Sequence, residues 1–203
     1  MADRVALYLQ DAHPLADAIP MDMPRAASRL ALGLADEATV IALLPGSRRS
    51  EIRYILPSLL GAAALLTKQR PALKCVLPAM RGVRDLIDPL VAKFAGQIDL
   101  QVLDGRSHEA LAACDLTLIA SGTATLEAAL FKRPMVIAYR MGWLSWRIMR
   151  PKQLQPWVGL PNILSRDFIV PELIQDRASP PALANAVLLV AFSGALAWEA
   201  VRR

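Results

Sequence analysis

Between Val40 and Tyr139, short apolar runs alternate with amphipathic stretches, and that alternation restricts the chain to one broad architecture. The runs are Val40–Leu44, Leu73–Leu77, Ile98–Leu103, Leu116–Ala120 and Met135–Tyr139. Each is too short for a buried helix, and most are apolar without interruption, as strands are when both sheet faces are covered. Between the first two, Ile52, Ile55, Leu56, Leu59, Leu60, Ala63 and Leu66 fall at helical spacing, which predicts one helix over Ser50–Gln69. Further helices are predicted over Arg81–Phe94, Ser107–Ala113 (with Ser107 as N-cap) and Thr123–Phe131. Strands joined through helices imply right-handed β-α-β units. The predicted fold class is therefore α/β, a Rossmann-like parallel sheet with flanking helices. With 55% apolar residues in a chain of 203, a full core can be built and disorder is excluded.

Two small-residue turns, about 75 residues apart, follow the first and fourth runs. One is Pro45-Gly46-Ser47-Arg48 and the other is Ser121-Gly122-Thr123-Ala124. A strand, such a turn and a helix N-terminus together form a cradle of N–H groups for an anion. Two of them in one open sheet point to a nucleotide or nucleotide-sugar site at the carboxyl ends of the strands. Gly46 allows close approach. Ser47 and the N–H groups after it can donate to phosphate oxygens, and Arg48 can meet a diphosphate with two prongs. If diphosphate leaves, Arg48 stabilises its charge and so counts as catalytic. Surface arginines on a plain βα turn are the alternative. Glu127, one turn into the helix after the second cradle, suits ribose hydroxyls, or is a solvated glutamate favoured by the helix dipole. This is not a P-loop, since lysine is absent and the spacing differs.

The pattern loosens after Arg140. A helix is predicted over Gly142–Arg150, then a proline-broken stretch through Pro151, Pro156 and Pro161. Asn162 either binds ligand or holds its loop by bonding backbone groups. Pro171 is expected to open a short helix that carries Glu172 and Gln175 on one face, where both could hold sugar hydroxyls. Trp143, Trp146 and Trp157 are interspersed with Met141, Met149, Arg140, Arg147, Arg150 and Lys152. Such a mixture suits a membrane interface or a lipidic substrate, while packing inside the domain is the alternative.

The formal charge of +5, mostly from arginine, suits phosphates or an anionic membrane face. No dense basic run with interleaved aromatics argues for nucleic acid. His13 and His108 are the two histidines. No Ser/His/Asp set or metal-spaced cluster is recognisable, so no metal and no cofactor is expected, and His108 reads as a loop or helix-start residue. Cys75 and Cys114 read as reduced core residues. Residues 178–198 carry no charge and could span a bilayer by length. Pro180, Pro181, Asn185, Ser193 and Gly194 interrupt them, which favours a soluble helix starting near Pro180 and Pro181. Met1–Val5 lacks a signal-peptide core.

Taken together, five segments resemble the lipid-A-disaccharide synthase family. They are Leu43–Arg48 with Glu51, Ala120–Glu127, Met135–Arg140, Gly159–Leu164 and Val170–Gln175. The resemblance covers roughly residues 5–192 and implies an inverting, metal-independent glycosyltransferase of the two-domain GT-B type. Such an enzyme transfers 2,3-diacylglucosamine from its UDP derivative to 2,3-diacylglucosamine 1-phosphate and releases UDP. It works at the cytoplasmic face of the inner membrane. By carry-over, Ser47 and Arg48 meet the diphosphate, and Ser121, Gly122, Thr123, Ala124 and Thr125 line the nucleotide site. Glu127 meets the ribose, while Asn162, Glu172 and Gln175 face the donor sugar and the reaction centre, with Arg48 and Asn162 as the catalytic candidates. The family carries an N-terminal Rossmann domain before the point where this sequence starts. Ala12 stands where a glycine is usual, and the match ends near Phe192. Residues 1–20 thus read as a strand and interdomain-linker remnant, residues 21–177 as the UDP-sugar-binding domain and residues 178–203 as a truncated helical segment. The chain reads as the C-terminal, donor-binding half of a GT-B fold, inactive alone, with a separate N-terminal half or a homo-oligomer as candidate partners. A UDP-sugar 2-epimerase-like half-domain and a non-catalytic remnant remain as alternatives.

Overall fold

The computed structural model describes residues 23–149, 151 and 156–201. The expected strand at Val5–Leu9 and the linker after it lie outside the described residues.

Six strands form one parallel sheet: β1 (Val40–Leu44), β2 (Lys74–Ala79), β3 (Asp99–Asp104), β4 (Leu116–Ala120), β5 (Met135–Tyr139) and β6 (Glu172–Ile174). Their spatial order is β3-β2-β1-β4-β5-β6, the doubly wound Rossmann order. Register is continuous across the middle, with Ala42 beside Val76 on one side and Thr117 on the other. The helices are α1 (Arg25–Ala31), α2 (Arg49–Gln69), α3 (Arg84–Ala92), α4 (Ser107–Ala113), α5 (Ala124–Leu130), α6 (Trp143–Met149), α7 (Leu160–Ser165) and α8 (Pro180–Val201).

Every residue of β1 and β4 is buried. Alternate side chains serve two cores, as the strand period of two requires. Ile41, Leu43, Leu116 and Leu118 pack with the buried stripes of α2 and α8. Val40, Ala42, Leu44 and Ile119 pack on the other face with α4 and α5. The α2 stripe is the one its spacing predicts: Ile52, Ile55, Leu56, Leu59, Leu60, Ala63 and Leu66 are all buried. α8 starts at Pro180, as expected, and crosses α2 closely, since a Cβ on Gly61 would stand 2.8 Å from Pro180 Cγ. Leu183, Ala184 and Val187 bind α8 into the first core. Among the described residues, no helix is long and apolar enough to cross a membrane.

Three local expectations give way. The third helix begins at Arg84, because Gly82, at φ 78°, turns the chain after β2. Ser107 is the first residue of α4 rather than its cap. The cap position belongs to Arg106, in the left-handed region at φ 56°, where its side chain bonds Ala31 O and Glu109. The predicted helix at Pro171 is instead strand β6, paired with β5 and followed by a 3-10 turn at Gln175–Arg177. Three residues make no stable local helix, and the free edge of β5 offers them ladder hydrogen bonds.

The amino edge of the sheet is closed by Arg29, a side chain with only 1% of its area exposed. Its guanidinium donates to the carbonyls of Ala113, Ala35, Asp36 and Ala38, and to Asp115 Oδ2 at 3.0 Å. The same carboxylate oxygen accepts from Val40 N at 2.8 Å, which ties the starts of β1 and β4 together. Cys75 and Cys114 are free, buried thiols. Burial is the main cause that pushes both up to about 12, so they stay protonated and unreactive at neutral pH.

Candidate functional site

Strand order reverses between β1 and β4, because each is followed by a crossover that leads away from the other. A crevice opens at the carboxyl ends of two such strands. Leu44 lies beside Ile119, so the turns after them stand side by side. The first turn enters the N-terminus of α2, 21 residues long, and the second enters α5. The N–H groups of Ser47, Gly122 and Thr123 have no acceptor among the described residues. Gly46 sits at φ 92°, and a Cβ there would lie 2.3 Å from Glu51 Oε2. Only glycine fits this bend without displacing Glu51.

Glu51 accepts the Arg48 N–H at 3.3 Å and the Arg48 guanidinium at 3.1 Å. The Arg48 side chain is 80% exposed although paired with Glu51, so a ligand can reach it from solvent. Tyr139, at the end of β5, also belongs to this neighbourhood. Its phenol is raised above the ordinary value, chiefly by burial and further by the Glu51 carboxylate, with Arg48 opposing. Ser47, Gly122 and Thr123 are exposed along the rim, and Ala124 is half-buried beside them.

Not every expected ligand contact is open. Thr125 is fully buried and its hydroxyl donates to Gly122 O at 2.6 Å, so it closes the second turn from beneath. The Ser121 hydroxyl donates to Val158 O at 2.7 Å, which joins this turn to the approach to α7. Asn162 is also fully buried, and each bond its amide can make is made. Nδ2 donates to Val170 O and Glu172 Oε1, while Oδ1 accepts from Ile169 N and Val170 N. Of the two roles open to it, this geometry is the loop-holding one.

Glu172 and Gln175 do not share a face. Glu172 is the first residue of β6, whereas Gln175 opens the 3-10 turn after the strand. The Glu172 carboxylate turns toward α7, where it accepts from Val158 N and Gly159 N at 2.9 Å each and from Asn162 at 2.6 Å. Gly159 has no room for a side chain there, since a Cβ would lie 2.5 Å from Ile137 Cδ1. Gln175, held at φ 54°, points the other way with its Nε2 buried and unpartnered. It lines a cleft of about 330 Å³ with Arg53, Tyr54, Arg140 and Trp146. Neither Arg53 nor Arg140 has an ion-pair partner among the described residues. Asp176 is the acidic member of the same wall. Arg53 and Tyr54 were legible as the outer side of the α2 stripe, opposite Ile52, Ile55 and Leu56.

Beside this cleft, α6 turns outward. Trp143 is 69% exposed and the Arg147 guanidinium stacks 5.5 Å from its ring centroid. The packing alternative therefore does not hold for Trp143. Trp143, Trp146, Arg147 and Pro151 line a further open hollow. Glu127, half-buried at 19%, stands in α5 with His108 Nε2 at 3.3 Å from its Oε2.

The fold defines a class: a doubly wound, Rossmann-like α/β unit of the kind that forms one half of a GT-B fold. Solved structures bear out the fold. One is WaaG, described as a glycosyltransferase involved in lipopolysaccharide biosynthesis. It superposes with a TM-score of 0.59 at 17% identity, over 82% of this chain and 41% of that one. E. coli ADP-heptose lps heptosyltransferase II gives 0.59 at 13% identity, over 84% and 51%. Sequence comparison is more specific. The family model for lipid-A-disaccharide synthetase matches residues 9–196, and the chain belongs to that family. The lipid-A-disaccharide synthase of Albidiferax ferrireducens (strain ATCC BAA-621 / DSM 15236 / T118) is 63% identical over 177 residues, which cover 87% of this chain and 46% of the relative. The chain thus spans slightly less than half the length of the curated relatives it matches.

Proposed function

We propose that this chain is the donor-binding part of an enzyme that transfers 2,3-diacylglucosamine from its UDP derivative to 2,3-diacylglucosamine 1-phosphate, with inversion and without a metal. The observation that carries this reading is the pair of adjacent turns with free N–H groups at the point where strand order reverses. Family membership supplies the substrate class.

In this reading residues 21–177 form the UDP-sugar unit, with α8 packed on its α2 face. The diphosphate lies across Ser47, Gly122, Thr123 and Ala124. Helix N-termini and Arg48 stabilise the charge that develops as UDP leaves, which lowers the barrier selectively in the transition state. Glu127 accepts from the ribose hydroxyls. The acylated sugar extends toward Gln175 and the aromatic cleft, where Arg53 and Arg140 meet polar groups and Trp146 meets apolar ones. Asn162, Glu172, Ser121 and Thr125 act indirectly by holding the surrounding loops. The aromatic and basic rim at Trp143 and Arg147 faces the lipid acceptor and an anionic membrane surface at the cytoplasmic side. The general base belongs to the acceptor-side wall, for which the additional length of the relatives provides room, or to a second copy of the chain.

Calorimetric titration with UDP tests the reading, with ADP and Arg48→Ala as controls. The expected result is saturable, UDP-selective binding that weakens about ten-fold in Arg48→Ala. A folded chain that binds no UDP at millimolar concentration overturns it.

A further inference from the structure

His108 had no role in the sequence reading beyond starting a helix, yet its ring makes two contacts across to α5. Its Nε2 lies 3.3 Å from Glu127 Oε2. Its ring centroid is 5.8 Å from that of Phe131, with the planes tilted by 42°. Phe131 caps the C-terminus of α5 and its N–H still bonds Glu127 O at 3.0 Å, so the two side chains stand on one face and a single imidazole can span both. Phe131 is buried and gives the ring a fixed wall to rest on.

The other charged groups in the first turn of α4 are already engaged. Arg106 pairs with Glu109 at 3.2 Å and donates to Ala31 O at 3.1 Å. Neither competes for Glu127. Among the described residues, His108 is the one side chain that reaches the Glu127 carboxylate. Nε2 approaches Oε2 at ion-pair distance rather than as an aligned hydrogen bond, and Oε1 has no partner among the described residues.

We propose that His108 is a positioning residue for Glu127 and, through it, a determinant of ribose recognition. The proposal rests on the reading above, in which Glu127 accepts from the ribose hydroxyls. A carboxylate that rotates freely must be ordered when a diol binds. One held by a neighbour presents its second oxygen with that cost already met. His108 thereby favours nucleotides that carry ribose hydroxyls and has no effect on those that lack them.

The test measures dissociation constants of the whole chain for UDP and for 2′,3′-dideoxy-UDP, with thermal unfolding of each variant alongside. His108→Phe keeps a ring against Phe131 but has no donor. His108→Gln restores a donor. Glu127→Ala removes the carboxylate itself. Glu127→Ala should weaken UDP about ten-fold and leave dideoxy-UDP unchanged. His108→Phe should weaken UDP about three-fold, again with no change for dideoxy-UDP, and His108→Gln should recover most of the loss. Adding His108→Phe to Glu127→Ala should cost nothing more.

If His108→Phe binds UDP as the unaltered chain does while Glu127→Ala is impaired, the role of His108 falls and the donor-site reading stands. If His108→Phe weakens both nucleotides alike, its role is structural only and the proposal is overturned. If Glu127→Ala treats UDP and dideoxy-UDP alike, the ribose role of Glu127 fails, and the proposal fails with it.

Discussion

The two edges of the sheet are built from similar residues and treated in opposite ways. At the amino edge, Arg29 is buried and spends its guanidinium on four carbonyls and Asp115. Arg133 does the same nearby, donating to Leu111 O and Ala112 O at the end of α4. At the carboxyl edge, Arg48 is exposed, Arg53 and Arg140 have no ionic partner among the described residues, and the Gln175 amide nitrogen is buried without an acceptor. A buried polar group is costly unless paired, so the Gln175 nitrogen marks a place that a ligand can complete, while the solvated Arg48 and Arg53 stand in reach beside it at little cost. One edge therefore holds the fold together, and the other leaves its polar groups available, as the proposed donor site requires. Charge count alone would not distinguish the arginines of the two.

Arg29→Ala tests the closed edge and should have the largest effect. It leaves several buried carbonyls and part of Asp115 unpaired, at a cost of about 3 kcal/mol. Thermal unfolding should fall by about 10 °C, while UDP affinity of the folded fraction stays the same. An unchanged midpoint would break the comparison. Asn162→Ala probes a closed corner of the open edge. It strips partners from Ile169 N, Val170 N and Val170 O, and should cost about 2 kcal/mol. A loss of UDP affinity with no loss of stability would instead place Asn162 against the ligand.

Arg48→Ala should show the reverse pattern, with the midpoint within about 1 °C of the unaltered chain despite the weaker UDP binding. The smallest effect belongs to Asp85→Asn. Its hydrogen bonds from Arg49 hold the Asp85 carboxyl below the usual range. A carboxylate depressed in the folded state adds stability above its unfolded pKa of about 3.9 and loses it as pH falls through the folded value. Unfolding midpoints should therefore show a small deficit in Asp85→Asn at neutral pH that shrinks below about pH 4. A deficit that grows on acidification would reverse the assigned sign.

Much of this molecule follows from local pattern. Five of the six strands, the α2 stripe and the start of α8 are visible because periodicity of two or 3.6 is a property of neighbouring residues. The two small-residue turns are visible for the same reason, since Gly46 and Gly122 each sit between a strand and a helix that declare themselves. Strand β6 was misread as a helix because Pro171 is a genuine helix-start signal, and only the edge of β5 makes three residues extended.

Sequence by itself determined the class of fold, the order of its elements and the family to which the chain belongs. Tertiary structure alone decided which side chains are spent and which are free. Arg29 and Asp115 are 86 positions apart, and His108 meets Glu127 from a different helix, so no local spacing reveals either pair. Asn162 and Thr125 look like ligand residues in a motif, yet folding uses their hydrogen bonds internally. Glu172 and Gln175 part company because β6 ends at Ile174 and the chain turns at Gln175, with φ 54°. The reason is common to all of them: a motif specifies which groups are available, but their partners are set by contacts distant in the chain.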